Sequence, residues 1–130
     1  MRPAGLQAGT RPAFFDLYRI RQPVTAVVSI GHRVSGVLLA LVVPLLVYLL
    51  QVSLSGPQGY ARVGSVFDHA WIRVLTVLVI WAFAHHLLAG VRHLLFDLHV
   101  GTRLRQSRAG AWIVLGAEAL IVVIAIAGIS

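Results

Sequence analysis

Three long apolar runs divide the chain, and each is interrupted by polar residues at spacings that repay close reading. Val24 to Leu54 is apolar except for the island Ser29-Ile30-Gly31-His32-Arg33-Val34-Ser35-Gly36. Ile72 to Leu95 is apolar except for Arg73, His85, His86, Arg92 and His93, and Ala111 to Ile129 has Glu118 as its only charge. Each run is close to or above the ~20 residues that cross a ~30 Å hydrocarbon core. In lipid the backbone must satisfy its own hydrogen bonds, so the runs are predicted to be helices, since three strands cannot close a barrel. The expectation is an all-α membrane protein of one domain with three transmembrane helices, at about 24–52, 70–96 and 110–129. A polar tail over 1–23 precedes them, with no cleavable signal peptide expected.

Composition agrees with that class. Of 130 residues 58% are hydrophobic and 12% charged, and the mean hydropathy is +0.87. The 11 basic residues, all arginine, outweigh 4 acidic ones for a formal charge of +7. On a soluble protein that excess would suggest nucleic acid, but here the arginines flank apolar runs and the expected partner is the lipid bilayer. Without cysteine, disulfides, thiolate metal sites and Fe–S ligation by this chain are excluded.

Charge also sets the expected orientation. Arginines gather in the tail (Arg2, Arg11, Arg19, Arg21) and in the second connection (Arg103, Arg105, Arg108), whereas the Gly/Pro/Ser-rich first connection has Arg62 alone before Arg73. The positive-inside rule then puts the N-terminus in the cytoplasm and the C-terminus outside. At about 1.5 Å per residue, Ser29 and Arg33 fall roughly 8 and 14 Å inside the cytoplasmic end of the first helix. His93 and His86 fall roughly 6 and 16 Å inside it on the second.

Facing direction groups the same residues. Ser29, His32, Arg33 and Gly36 follow i, i+3, i+4, i+7, and His86, Gly90, His93 and Asp97 follow i, i+4, i+7, i+11. Ionisable groups in a span seldom face lipid, so the two stripes predict a polar seam inside the protein. For a lone histidine near a helix end, helix-to-helix hydrogen bonding is the commoner role, and Arg33 and Arg92 could snorkel. Together, however, these residues suit a redox site. An imidazole can be an axial ligand to haem iron, with arginines for the propionates. Ser29 and Arg33 can donate to a quinone headgroup, with Asp97 and His93 as proton relays. Zinc hydrolysis fits poorly, because HHxxxxxxH lacks the i, i+4 pair and a placed Glu.

The stretches RPAFFDLYRIRQPVTAVVSIGHRVSG and HHLLAGVRHLLFD carry a resemblance over nearly the whole chain to the cytochrome b556 anchor subunits of succinate dehydrogenase. That resemblance implies an inner-membrane subunit that pairs with a second three-helix anchor, shares one haem b with it, and docks a flavoprotein subunit and an iron–sulfur subunit on the cytoplasmic side. Trimers of the whole complex are compatible with it. It implies that electrons from succinate reach ubiquinone near the cytoplasmic face, and that the chain alone is not catalytic. By position in the motif, His86 is the haem iron ligand, opposite a histidine of the partner anchor. Ser29 and Arg33 line the quinone site, and His32, Arg33 and His93 approach the haem propionates. Asp97 lies near proton entry, and the tail from Arg11 to Gln22 packs beneath the iron–sulfur subunit.

Two residues stand outside this scheme. His85 projects about 100° from His86 and is expected to be a hydrogen-bonding neighbour. Glu118 has no role in the seam or in the resemblance, and pairing with an arginine of the partner chain is the expectation. Ser35 and Gly36 are expected to serve close helix packing. The competing readings are a haem-free structural anchor, the anchor of a fumarate reductase, and a small proton conductor. The last is opposed by the lack of a polar stripe through the outer halves of the helices.

Overall fold

The computed structural model describes residues 22–129, all of whose regular structure is helical. The expectations for the arginine-bearing tail through residue 21 lie outside the described residues. Four helices follow in order: α1 (Val24–Ser53), α2 (Pro57–Val66), α3 (Ala70–Asp97) and α4 (Leu104–Ile129). Of these, α1, α3 and α4 are long and apolar enough to cross a membrane, so the chain is a multi-pass membrane protein.

The helix ends follow from local chemistry. Pro23 is held in the extended region and its carbonyl accepts from Ala26 and Val27 at 2.8 and 3.2 Å, which opens α1. Inside α1, Pro44 has no N–H to give, so one rung of the ladder is missing in the C-terminal half. The first connection is itself largely helical. Gly56 turns the chain at a φ of 131°, and Pro57 then supplies a φ suited to the first helical position of α2. The Gly/Pro-rich composition read as a plain connection therefore starts a helix.

α3 ends in a Schellman arrangement. His99 takes a left-handed φ of 60°, its N–H donates to Phe96 at 2.9 Å, and the Val100 N–H reaches back to the Leu95 carbonyl at 2.8 Å. Gly101, at a φ of 75°, completes the reversal, and α4 starts at Leu104, several residues ahead of the apolar run that marks it in the sequence.

α3 packs between α1 and α4 and carries most of the contacts. The core is small and sits at one end of the bundle. Val28 of α1, Ala89 of α3, and Ala111 and Val114 of α4 are buried together, with Val24, Leu88 and Leu115 packed against them. Alanines at these positions let the backbones come close, as is usual where lipid removes the hydrophobic drive for association. The far thirds of all three spans have no buried residue among those described. Large apolar side chains such as Leu41, 72% exposed, face lipid or a neighbouring subunit. Among the described residues the buried polar side chains are Ser35, His85, Arg92 and Glu118, all outside those far thirds.

Candidate functional site

The face that α1 turns toward α3 is set by small residues. Val28 and Ser35 are wholly buried, and Gly31 and Gly36 each lie against a histidine of α3. A Cβ on Gly31 would come within 2.5 Å of His85 Nε2, and one on Gly36 within 2.9 Å of His86 Cε1. The predicted stripe of Ser29, His32, Arg33 and Gly36 is thus turned by about one residue. His32 and Gly36 meet α3, Ser35 joins them, and Ser29 and Arg33 lie to the side. The cause is packing: Val28 enters the apolar core, and burying it rotates Arg33 outward.

His86 is held by the backbone of α1. Its Nδ1 is 3.1 Å from the His32 carbonyl oxygen and 3.4 Å from Ser35 Oγ, while that hydroxyl itself donates to the same carbonyl at 3.0 Å. A carbonyl only accepts, so the proton of His86 resides on Nδ1 and the lone pair on Nε2. The His32 ring stacks on that of His86 with centroids 4.2 Å apart and planes 9° from parallel. His93 tilts against the other side of the cluster, 5.1 Å from His32. Gly90 makes room on α3 for His32, whose Nε2 would lie 3.4 Å from an added Cβ.

His85 has neither nitrogen to spare. Its Nε2 donates to the Val28 carbonyl at 3.1 Å, and its Nδ1 pairs with Glu118 Oε2 of α4. With the Nε2 proton fixed by a carbonyl, the contact to Glu118 holds a single proton. It is either an imidazolium facing a carboxylate or an imidazole accepting from the acid, and both are neutral overall, the state a hydrocarbon interior favours. The expected pairing of Glu118 with a partner arginine is corrected by this contact, because α4 turns the carboxylate inward onto α3.

Arg92 does not snorkel. It is 6% exposed and points to α4, where Nη2 donates to the carbonyl and the hydroxyl of Ser107 at 3.2 and 3.1 Å. The guanidinium also lies 4.4 Å over the Phe96 ring, and Gly110 leaves the space that it fills. Arg92 is thus a tie between α3 and the start of α4, on another side from the histidines.

Among the described residues no hydrogen bond or ion pair engages Ser29, Arg33 or Asp97. Ser29 is partly buried, and Arg33 and Asp97 are exposed. The structure therefore brings together His32, His86 and His93 of the expected set and leaves these three beside them. Ser35, read in the sequence as packing, stands in the site. Its place three residues after His32, on the side of Val28, was the available signal.

The donor set can be tested against a metal. Among the described residues no group of three or more His, Asp or Glu side chains is arranged to hold a bare ion. A histidine whose Nδ1–H is anchored on a carbonyl and whose Nε2 keeps its lone pair is instead suited to one axial position of an iron that a macrocycle already holds.

A family model described as the succinate dehydrogenase/fumarate reductase transmembrane subunit matches residues 7–125. The chain belongs to this family. Among relatives of this succinate dehydrogenase/fumarate reductase transmembrane subunit, the succinate dehydrogenase cytochrome b556 subunit of Coxiella burnetii (strain RSA 493 / Nine Mile phase I) is 33% identical over 116 residues, 88% of this chain and 93% of the relative. The protein of the same name from Paracoccus denitrificans is 27% identical over 122 residues, 93% of each chain. That from Rickettsia typhi (strain ATCC VR-144 / Wilmington) is 30% identical over 105 residues, 81% of this chain and 82% of the relative.

Proposed function

We propose that this transmembrane subunit anchors a succinate dehydrogenase in the bacterial inner membrane, holds haem b through His86, and forms part of the ubiquinone-reduction site. The observation that carries this reading is the hydrogen bond from His86 Nδ1 to the His32 carbonyl. It fixes the tautomer, orients the ring and raises the donor strength of Nε2.

The other roles follow from exposure and charge. A guanidinium within a span is too costly to leave in hydrocarbon, so the exposed Arg33 speaks for a covering neighbour: a second three-helix anchor, the iron–sulfur subunit, quinone and water. Arg33 and the Ser29 hydroxyl donate to a quinone carbonyl, and Arg33 with His32 and His93 offers cationic or N–H partners to haem propionates. Asp97, exposed at the end of α3, takes up protons from the cytoplasmic side and His93 relays them. When bound, haem b would supply a one-electron couple beside this site, held by His86 and by a histidine of the partner anchor. A flavoprotein and the iron–sulfur subunit deliver electrons from succinate on the cytoplasmic face, which also receives the N-terminus.

Reduced-minus-oxidised spectra of the purified complex test the reading, recorded for the wild type, His86→Ala and His85→Ala. A b-type band lost in His86→Ala and still present in His85→Ala is expected. Retention of an unaltered band in His86→Ala would assign the ligand elsewhere, and absence of the band from the wild type would leave a haem-free structural anchor.

A further inference from the structure

The His85–Glu118 contact is the one buried ionisable pair among the described residues, and nothing in the proposed redox chemistry uses it. What it touches gives its purpose. His85 donates to the carbonyl of Val28, and His86 donates to the carbonyl of His32, four residues further along α1. In an α-helix the carbonyl of residue 28 also receives the N–H of residue 32, so the two contacts sit on successive links of one hydrogen-bonded column. Adjacent histidines of α3 thereby grip α1 at two points one turn apart, and this double grip fixes the register and rotation of α3 against α1.

An imidazole can flip about its bond to Cβ, which would turn the Nε2–H away from Val28 or change which nitrogen has the proton. Glu118 prevents this by engaging Nδ1 from the opposite side, out of α4. Gly31 completes the seat: the His85 ring lies where a Cβ would stand, 2.5 Å from Nε2 and 2.9 Å from Cε1. The ring is therefore confined between a backbone with no side chain and a carboxylate.

We infer that Glu118 is a positioning residue for His86: through His85 it sets the rotation of α3 that lets His86 reach the His32 carbonyl and aim Nε2 at the iron. This inference rests on the reading of His86 as haem ligand. Releasing the His85 grip turns α3 and weakens the Nδ1 hydrogen bond of His86, which lowers the donor strength of Nε2 and reorients the ring about the iron–nitrogen axis.

The test uses the whole purified complex and two readouts apart from turnover: the g values of the oxidised low-spin haem in electron paramagnetic resonance, which report ligand-ring orientation, and the midpoint potential by redox titration. Glu118→Leu is expected to shift the g values and raise the potential. Glu118→Gln, whose carboxamide still pairs with His85 Nδ1, is expected to restore both to nearly the wild-type values. Gly31→Ala displaces the His85 ring without touching Glu118 and is expected to reproduce the shift of Glu118→Leu. It also decides the matter if Glu118→Leu fails to assemble. Wild-type g values and potential in Gly31→Ala or in an assembled Glu118→Leu would overturn the inference and leave the haem-ligand reading intact. A wild-type complex without haem would overturn both.

Discussion

The ring of His32 lies flat on that of His86, 4.2 Å away, while the backbone carbonyl of the same His32 receives the His86 Nδ1 proton. One residue of α1 thus touches the candidate iron ligand twice, once through its side chain and once through its main chain. Substitution separates the two. His32→Phe keeps a stacked ring and the carbonyl, so a b-type band near the wild-type position is expected. His32→Ala removes the stack, worth about 0.5–1.5 kcal/mol, and a broadened or shifted band is expected. Low-temperature absorption spectra of the two variants provide the comparison.

Two glycines of the seam have unequal tolerance. A Cβ on Gly36 would stand 2.9 Å from His86 Cε1, inside normal contact, whereas one on Gly90 would stand at an ordinary 3.4 Å from His32. Gly36→Ala is expected to lower haem content several-fold and Gly90→Ala to leave it close to wild type. Haem assayed per complex as its pyridine derivative measures both.

Arg33 is exposed and no hydrogen bond or ion pair engages it among the described residues, so its removal is expected not to disturb the helices. Losing a charge-assisted hydrogen bond of about 1.5–3 kcal/mol is expected to raise the KM for a short-chain ubiquinone on the order of 10-fold or more in Arg33→Leu. Thermal stability is expected to stay as in the wild type. Steady-state kinetics over a range of quinone concentrations test this, and an unchanged KM would remove Arg33 from the quinone site.

The ties between α3 and α4 differ in what they secure. In His85→Leu the Glu118 carboxyl stays buried without a partner, at a cost of about 3–5 kcal/mol. The double variant His85→Leu/Glu118→Leu removes both polar groups and is expected to regain most of that loss. Thermal unfolding of the detergent-solubilised complexes measures the difference. Arg92→Lys loses the two hydrogen bonds from Nη2 to Ser107 and the seat over Phe96, and faster amide exchange is expected at the start of α4.

The three spans are legible in the sequence because period and length are enough when lipid is the solvent. α2 is less so, since Gly56, Pro57 and Gly59 read as a loop until Gly56 is seen to free Pro57 for a first helical turn. The histidine cluster is legible because helix depth puts His32 between the levels of His93 and His86. Rotation is harder: whether Ser29 or Ser35 faces α3 turns on the burial of Val28, which depends on α4 as well. The partner of Glu118 is illegible for the same reason. A residue 33 positions away becomes a neighbour only once all three helices have their rotations.

The 30 residues of α1 and the 28 of α3 make rods of about 45 and 42 Å at 1.5 Å per residue, against a hydrocarbon slab of about 30 Å. Rods this long meet a thin bilayer by tilting or by standing proud of it. Because His85 and His86 of α3 hold the carbonyls of Val28 and His32, while the far thirds of both rods have no buried residue among those described, the gripped part is expected to move as a unit and the far ends to splay to absorb the mismatch. Acyl-chain length is then expected to alter the spread of the far ends and to leave the spacing of the histidines unchanged, so the histidine cluster is insulated from the thickness of the membrane that holds it.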